Sequence, residues 1–182
     1  MTTIFNIPNV LTMARVVLIV PLISMMVMPG NYIWWATALY AFIALTDWFD
    51  GYLARKLNQM SDFGRFLDPI ADKILVMAMF IAVAANNTVQ GWWLALPIII
   101  LTREFLVAGL REFLGPKNVV VHVTKLAKWK TTVQMLALGF LIPGEVYYDA
   151  AICGNLLMLL ATALTVITGW QYFKAGWPHL KG

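Results

Sequence analysis

Six apolar stretches, at residues 10 to 29, 32 to 55, 64 to 86, 91 to 114, 125 to 142 and 150 to 172, take up most of this 182-residue sequence. Each approaches the roughly 20 residues that a helix needs to cross the hydrocarbon core of a bilayer. The joints are turn or helix-stopping sequence: Pro29-Gly30-Asn31, Arg55 to Ser61, Asn86-Asn87 to Gly91, Gly115-Pro116-Lys117 and Pro143-Gly144. No room remains for a soluble domain, so residues 1–182 are expected to form a single domain. At 61% hydrophobic and 12% charged, the chain is far more apolar than an ordinary soluble domain. The expected fold is an all-α integral membrane protein, a bundle of six transmembrane helices.

The charges orient that bundle, because Lys and Arg gather on the cytoplasmic side of a membrane. The joints near 30, 87 and 145 hold no Lys or Arg, only Glu145 and Asp149. The other side holds Arg55, Lys56, Arg65, Arg111, Lys117, Lys125, Lys128, Lys130, Lys174 and Lys181. Both termini are therefore expected in the cytoplasm. The +4 net charge and a pI near 9.3 then reflect contact with anionic lipid and phosphate rather than nucleic acid. The first apolar run lacks a preceding basic region, carries Arg15 and has no small-residue cleavage site, so it is expected to be retained. Cys153 has no partner for a disulfide, and His122 and His179 do not make a zinc pattern.

Within the apolar sequence stand four carboxylates, Asp47, Asp50, Asp68 and Asp72. An ionised side chain in a membrane segment costs several kcal/mol, roughly 2.5 to 3.5 on insertion scales, so such residues point to function. Asp47 and Asp50 are spaced i, i+3, and Asp68 and Asp72 i, i+4, which puts each pair on one helical face. A hairpin between the second and third segments brings both pairs to a similar depth near the cytoplasmic surface. Hard divalent cations such as Mg²⁺ or Mn²⁺ neutralise such a cluster, and two ions suit displacement at phosphorus. Gly51 and Ala54 clear space on or near the same face, or else serve close helix packing. Arg55 presents a donor fork suited to a diphosphate, or anchors a helix end.

The sequence Asp47-x2-Asp50-Gly51-x2-Ala54-Arg55-x8-Gly64-x3-Asp68-x3-Asp72 resembles the full motif of the CDP-alcohol phosphotransferase family, every fixed position being present. Six helices with cytoplasmic termini also agree with that family's architecture. The resemblance implies that Asp47, Asp50, Asp68 and Asp72 bind two Mg²⁺ or Mn²⁺ ions, with Asp72 also the proton acceptor. It implies contacts from Gly51, Ala54 and Arg55 to a CDP moiety. Asn9, Thr12 and Arg15 resemble the family's N-terminal nucleotide-side motif, and Ser61 is placed to reach the diphosphate. For two of these a simpler reading stands beside it: Ser61 as a helix cap and Arg15 as a snorkelling cation.

A second cluster comprises Arg103-Glu104, Arg111-Glu112, Lys125, Lys128 and Lys130. Arg103 falls about 18 Å along a helix that begins near Gly91, too deep to reach the interface easily. A phosphate-bearing acceptor accounts for these cations. The alternative pairs Glu104 with Arg111 and leaves the lysines as markers of the inner side. Thr102 to Glu112, with Lys128-Trp-Lys130-Thr-Thr-Val-Gln134, resembles the bacterial phosphatidylglycerophosphate synthase branch of the family. That resemblance implies sn-glycerol 3-phosphate as acceptor, its phosphate held by Arg103, Arg111 and Lys130, with Lys128 nearby. It implies CDP-diacylglycerol as lipid donor, a homodimer, and an active site on the cytoplasmic face of a bacterial inner membrane. The rivals are another acceptor (serine, inositol phosphate or phosphatidylglycerol) and, from a different class, a divalent-cation transporter. A transporter calls for acids reaching through the membrane, whereas all four aspartates lie toward one side.

Overall fold

The structure is a computed structural model that describes residues 6–28, 30–56, 62–115 and 125–179, with backbone alone described at 7, 8, 47–56, 62, 65 and 125. Among the described residues six α-helices follow one another: α1 (Ile7–Val27), α2 (Ile33–Lys56), α3 (Asp62–Ala85), α4 (Ala95–Leu114), α5 (Lys125–Leu141) and α6 (Tyr148–Gly176). Short 3-10 turns span Gly91–Leu94, Pro143–Glu145 and Trp177–His179. The expected joints stop the helices for local reasons. Gly30 sits at φ +144°, and a Cβ there would come within 2.5 Å of the Tyr32 ring. Asn87 takes the left-handed φ of 61° that asparagine tolerates better than most residues. Pro69 stands inside α3 without ending it.

Two compact units divide the chain. One comprises residues 1–88 and 142–147, the other 89–141 and 148–182. In the first, α1 packs along both α2 and α3. The reason is a buried row on α1 at three- and four-residue spacing: Asn9, Thr12, Arg15, Ile19, Leu22 and Met26. Its opposite face, with Val17 and Val20, is exposed. The segment after α5 closes one end of this unit. Trp34 at the start of α2 lies 5.6 Å from the Tyr147 ring, and Asn86 after α3 donates to Glu145 at 3.1 Å. In the second unit, α6 packs against both α4 and α5. Gly154 makes the α5–α6 approach possible, since a Cβ there would meet the Leu141 side chain at 2.7 Å and its backbone nitrogen at 3.1 Å.

Large apolar side chains cover the outside, among them Val17, Leu106, Leu156 and Val166. So wide an apolar surface is suited to lipid and not to water. Among the described residues, three helices are long and apolar enough to cross a membrane: Asn9–Val27, Gly91–Leu114 and Tyr148–His179. Six such spans are expected from sequence, and the described parts of the other three helices are shorter or more charged. Among the described residues α2 offers a shorter apolar stretch, Ile33–Thr46. Helix α3 carries Asp62, Arg65, Asp68, Asp72 and Lys73 in its first half, and α5 opens on Lys125, Lys128 and Lys130.

Candidate active site

The acidic site takes shape at the start of α1. Asn6 caps that helix, its side chain accepting from the Asn9 amide at 2.9 Å. Asn9, Thr12 and Arg15 follow at one-turn intervals on the buried face. Thr12 donates its hydroxyl to Oδ1 of Asp68 on α3 at 2.8 Å. That bond orients the carboxylate, the arrangement by which an outer hydrogen bond holds a metal-binding group in place. Asp68 is exposed and Asp72, one turn further along α3, is half-buried. Asp72 lies within electrostatic reach of Tyr40, which is buried on α2.

The buried row of α2 runs Ile33, Ala36, Tyr40, Ile43. Asp47, Asp50 and Ala54 follow on the same helix at three- and four-residue spacing. The side chains of Asp47, Asp50, Gly51, Ala54 and Arg55 lie outside the described residues, as does Ser61 altogether. Among the described residues no three acidic, histidine or cysteine side chains meet around one point. What is described fits a hard divalent cation in its donor chemistry: two aspartates one turn apart, one of them fixed through a single oxygen. The snorkelling expected as one reading of Arg15 is corrected. Arg15 is only 2% exposed, held in the α1 row rather than turned out to an interface.

The second unit contains a separate polar cluster. Glu104 on α4 accepts from Arg103 at 3.1 Å and from Lys130 of α5 through the same carboxylate oxygen. The other terminal nitrogen of Arg103 donates to the Thr168 hydroxyl on α6 at 3.0 Å, and its guanidinium carbon stands 5.5 Å from the centre of the Tyr172 ring. Thr168 can receive that bond because its own proton goes back to the Leu164 carbonyl at 2.7 Å. The three charged side chains are 13%, 20% and 7% exposed for Arg103, Glu104 and Lys130. Among the described residues the bonded cluster sets two cations against one carboxylate, an excess of +1 in a largely buried place, which favours an anion.

The alternative pairing of Glu104 with Arg111 is not found among the described residues. Glu104 turns instead to Arg103 and Lys130, while Arg111, two turns further along α4, is exposed. Lys128 is exposed too, and neither Arg111 nor Lys128 is bonded to the cluster among the described residues. Arg103 and Lys130 therefore come together, and the other two expected cations do not join them. Gly169 went unnoticed in sequence. A Cβ there would lie 2.8 Å from Cγ of Arg103 and 3.2 Å from its Nε, so this glycine gives the arginine its passage along α6. The buried threonines Thr162, Thr165 and Thr168, spaced by three in an apolar helix, were the signal available. On the outer side the same region forms an apolar groove of about 430 Å³ between α4 and α6, lined by Ile99, Leu106, Val166, Trp170 and Phe173 among others.

An all-helical protein with an apolar exterior, oriented aspartates in one unit and a buried cationic cluster in the other is built as a membrane protein with polar chemistry inside it. The sequence pattern of the CDP-alcohol phosphatidyltransferase family matches residues 5–167, and the chain belongs to that family. It is 43% identical to a protein of Rickettsia typhi named CDP-diacylglycerol--glycerol-3-phosphate 3-phosphatidyltransferase, over 93% of this chain and 96% of the relative. Proteins of the same name from Cereibacter sphaeroides, 38% identical over 97% of this chain and 98% of the relative, and Bacillus subtilis, 36% identical over 97% and 98%, are similar along nearly their whole length.

Proposed function

We propose that this protein transfers the phosphatidyl group of CDP-diacylglycerol to sn-glycerol 3-phosphate, giving phosphatidylglycerophosphate and CMP. The names of its relatives support the reaction, and the observation that carries the choice of acceptor is the net-positive Arg103–Glu104–Lys130 cluster. An acceptor without a phosphate leaves a buried positive charge unanswered. Arg103 and Lys130 hold the acceptor phosphate. Arg111 and Lys128, both exposed, draw the dianion in from the cytosol.

Asp47, Asp50, Asp68 and Asp72 would hold two divalent ions, Mg²⁺ or Mn²⁺, which when bound neutralise the diphosphate and the charge developing on the leaving CMP. Thr12 keeps Asp68 in its binding orientation. Gly51, Ala54 and Arg55, with Asn9, Arg15 and Ser61, receive the CDP portion of the lipid. Asp72 accepts the proton of the acceptor 1-hydroxyl as that oxygen attacks the phosphorus bearing diacylglycerol. The bond from that phosphorus to the CMP oxygen breaks, and CMP leaves with the electron pair. The whole chain acts as one domain of six membrane-crossing helices with both ends in the cytoplasm. It works as a homodimer in the bacterial inner membrane, with the site facing the cytoplasm where lipid and soluble substrates meet.

The test is the product itself. Purified protein supplied with Mg²⁺, CDP-diacylglycerol and glycerol 3-phosphate should yield a lipid carrying two phosphates, one for every CMP released. Passage of divalent ions into sealed vesicles with no lipid product would instead favour the transporter.

A further inference from the structure

Among the described residues, two buried polar groups beside the cationic cluster have no hydrogen-bond partner, and helical geometry places both close to Lys130. Gln134 follows Lys130 by one turn of α5, about 6 Å along the axis, and is only 4% exposed. Its side-chain oxygen is buried without a hydrogen bond. Thr165 of α6 is fully buried, and its hydroxyl is likewise without a partner. Its neighbours on the same face behave differently: Thr162 donates to the Met158 carbonyl and Thr168 to that of Leu164. Leu141 and Gly154 touch where α5 and α6 meet. Lys130 and Thr165 each lie eleven residues from that contact along their own helices, so they stand at about the same level.

A buried amide oxygen and a buried hydroxyl are costly to leave unmatched, and such pairs in a native protein call for an explanation. Here both border the place where a phosphate would be held. One turn of helix is close to the distance from the phosphate of a three-carbon polyol phosphate to its middle hydroxyl. We propose that Gln134 is a specificity-determining residue of the acceptor site: its side-chain oxygen accepts a hydrogen bond from the secondary hydroxyl of glycerol 3-phosphate, with Thr165 completing the polar pocket. This rests on the acceptor assignment above and deepens it. The phosphate selects for an anion, and Gln134 selects for a polyol among anions. The primary hydroxyl is left unbound by this pocket and available to react.

The experiment compares glycerol 3-phosphate with 3-hydroxypropyl phosphate, which has the same phosphate and primary hydroxyl but no secondary hydroxyl. The wild-type protein should prefer glycerol 3-phosphate about tenfold in kcat/KM, the net worth of one neutral hydrogen bond. Gln134→Met keeps the volume and removes the acceptor oxygen. It should lower kcat/KM for glycerol 3-phosphate about tenfold and leave the deoxy acceptor unchanged, which erases the preference. Thr165→Val, close to isosteric, gives a second variant and should narrow the same preference. An equal loss with both acceptors, or a preference that survives Gln134→Met, would overturn the proposal and leave Gln134 as a packing or water-binding residue. Turnover with neither phosphate but with serine or phosphatidylglycerol would overturn the acceptor assignment itself, and the role of Gln134 with it.

Discussion

Removing the carboxylate of Glu104 leaves Arg103 and Lys130 as two neighbouring buried cations with no anion between them. Glu104→Leu takes the local charge from +1 to +2. Breaking a buried pair by deleting one partner costs about 3–5 kcal/mol, and the 20% exposure of Glu104 places this change at about 3 kcal/mol. Arg103 is partly protected, because it keeps Thr168 and the Tyr172 ring. Lys130 is 7% exposed and bears most of the loss. Lys130→Met has a different effect, since Glu104 still faces Arg103 and the site becomes neutral; about 1 kcal/mol is expected, at the level of one hydrogen bond. The double variant Glu104→Leu/Lys130→Met should then be more stable than the sum of the two single changes by about 2 kcal/mol. Equilibrium unfolding of the purified protein in mixed micelles measures all three. Additivity within about 0.5 kcal/mol, the behaviour of independent sites, would refute the shared-carboxylate account.

Thr12→Val removes the bond to Asp68 and should lower apparent Mg²⁺ affinity or turnover about tenfold, at the low end for an outer partner of a metal site; Thr12→Ser should retain both, as read by a Mg²⁺ titration of CMP release. Gly169→Ala drives a methyl group into Arg103 and should raise the KM for glycerol 3-phosphate about tenfold with a smaller change in kcat, since positioning a bound anion is mainly a binding effect. Asp72→Asn should reduce turnover by about 10² to 10⁴, the usual contribution of a general base, and retained turnover would remove Asp72 from the mechanism. Chelation of divalent ions should stop CMP release and added Mg²⁺ should restore it; release that persists after complete chelation would exclude the metal role.

The helices were legible because their joints use residues with strong local preferences, such as Gly30 at φ +144° and Asn87 at φ 61°. Their partners were less so. That α1 packs along both α2 and α3 did not follow from their order in the chain. Its buried row begins with three polar residues, Asn9, Thr12 and Arg15, and then turns apolar. In a helix that is apolar on every other face, one row of polar residues spaced by three is the visible trace of a polar interior. The same trace was available on α6 in Thr162, Thr165 and Thr168. Arg103 was recognisable from depth alone, because a cation in the middle of an apolar helix needs a partner. Which partner it takes was not recognisable: Glu104 lies next to it in sequence but meets Lys130 only through the packing of α4 and α5 onto α6. Gly169 leaves no trace of its own, since its role depends on another helix's side chain.

The most direct measurement uses the purified protein in detergent with CDP-diacylglycerol and Mg²⁺, and follows CMP release with glycerol 3-phosphate, serine, inositol phosphate and phosphatidylglycerol supplied in turn. Release with glycerol 3-phosphate alone is the predicted result. Release with serine or phosphatidylglycerol in its place would contradict the account, because neither brings the phosphate monoester that the Arg103–Lys130 pair is built to receive.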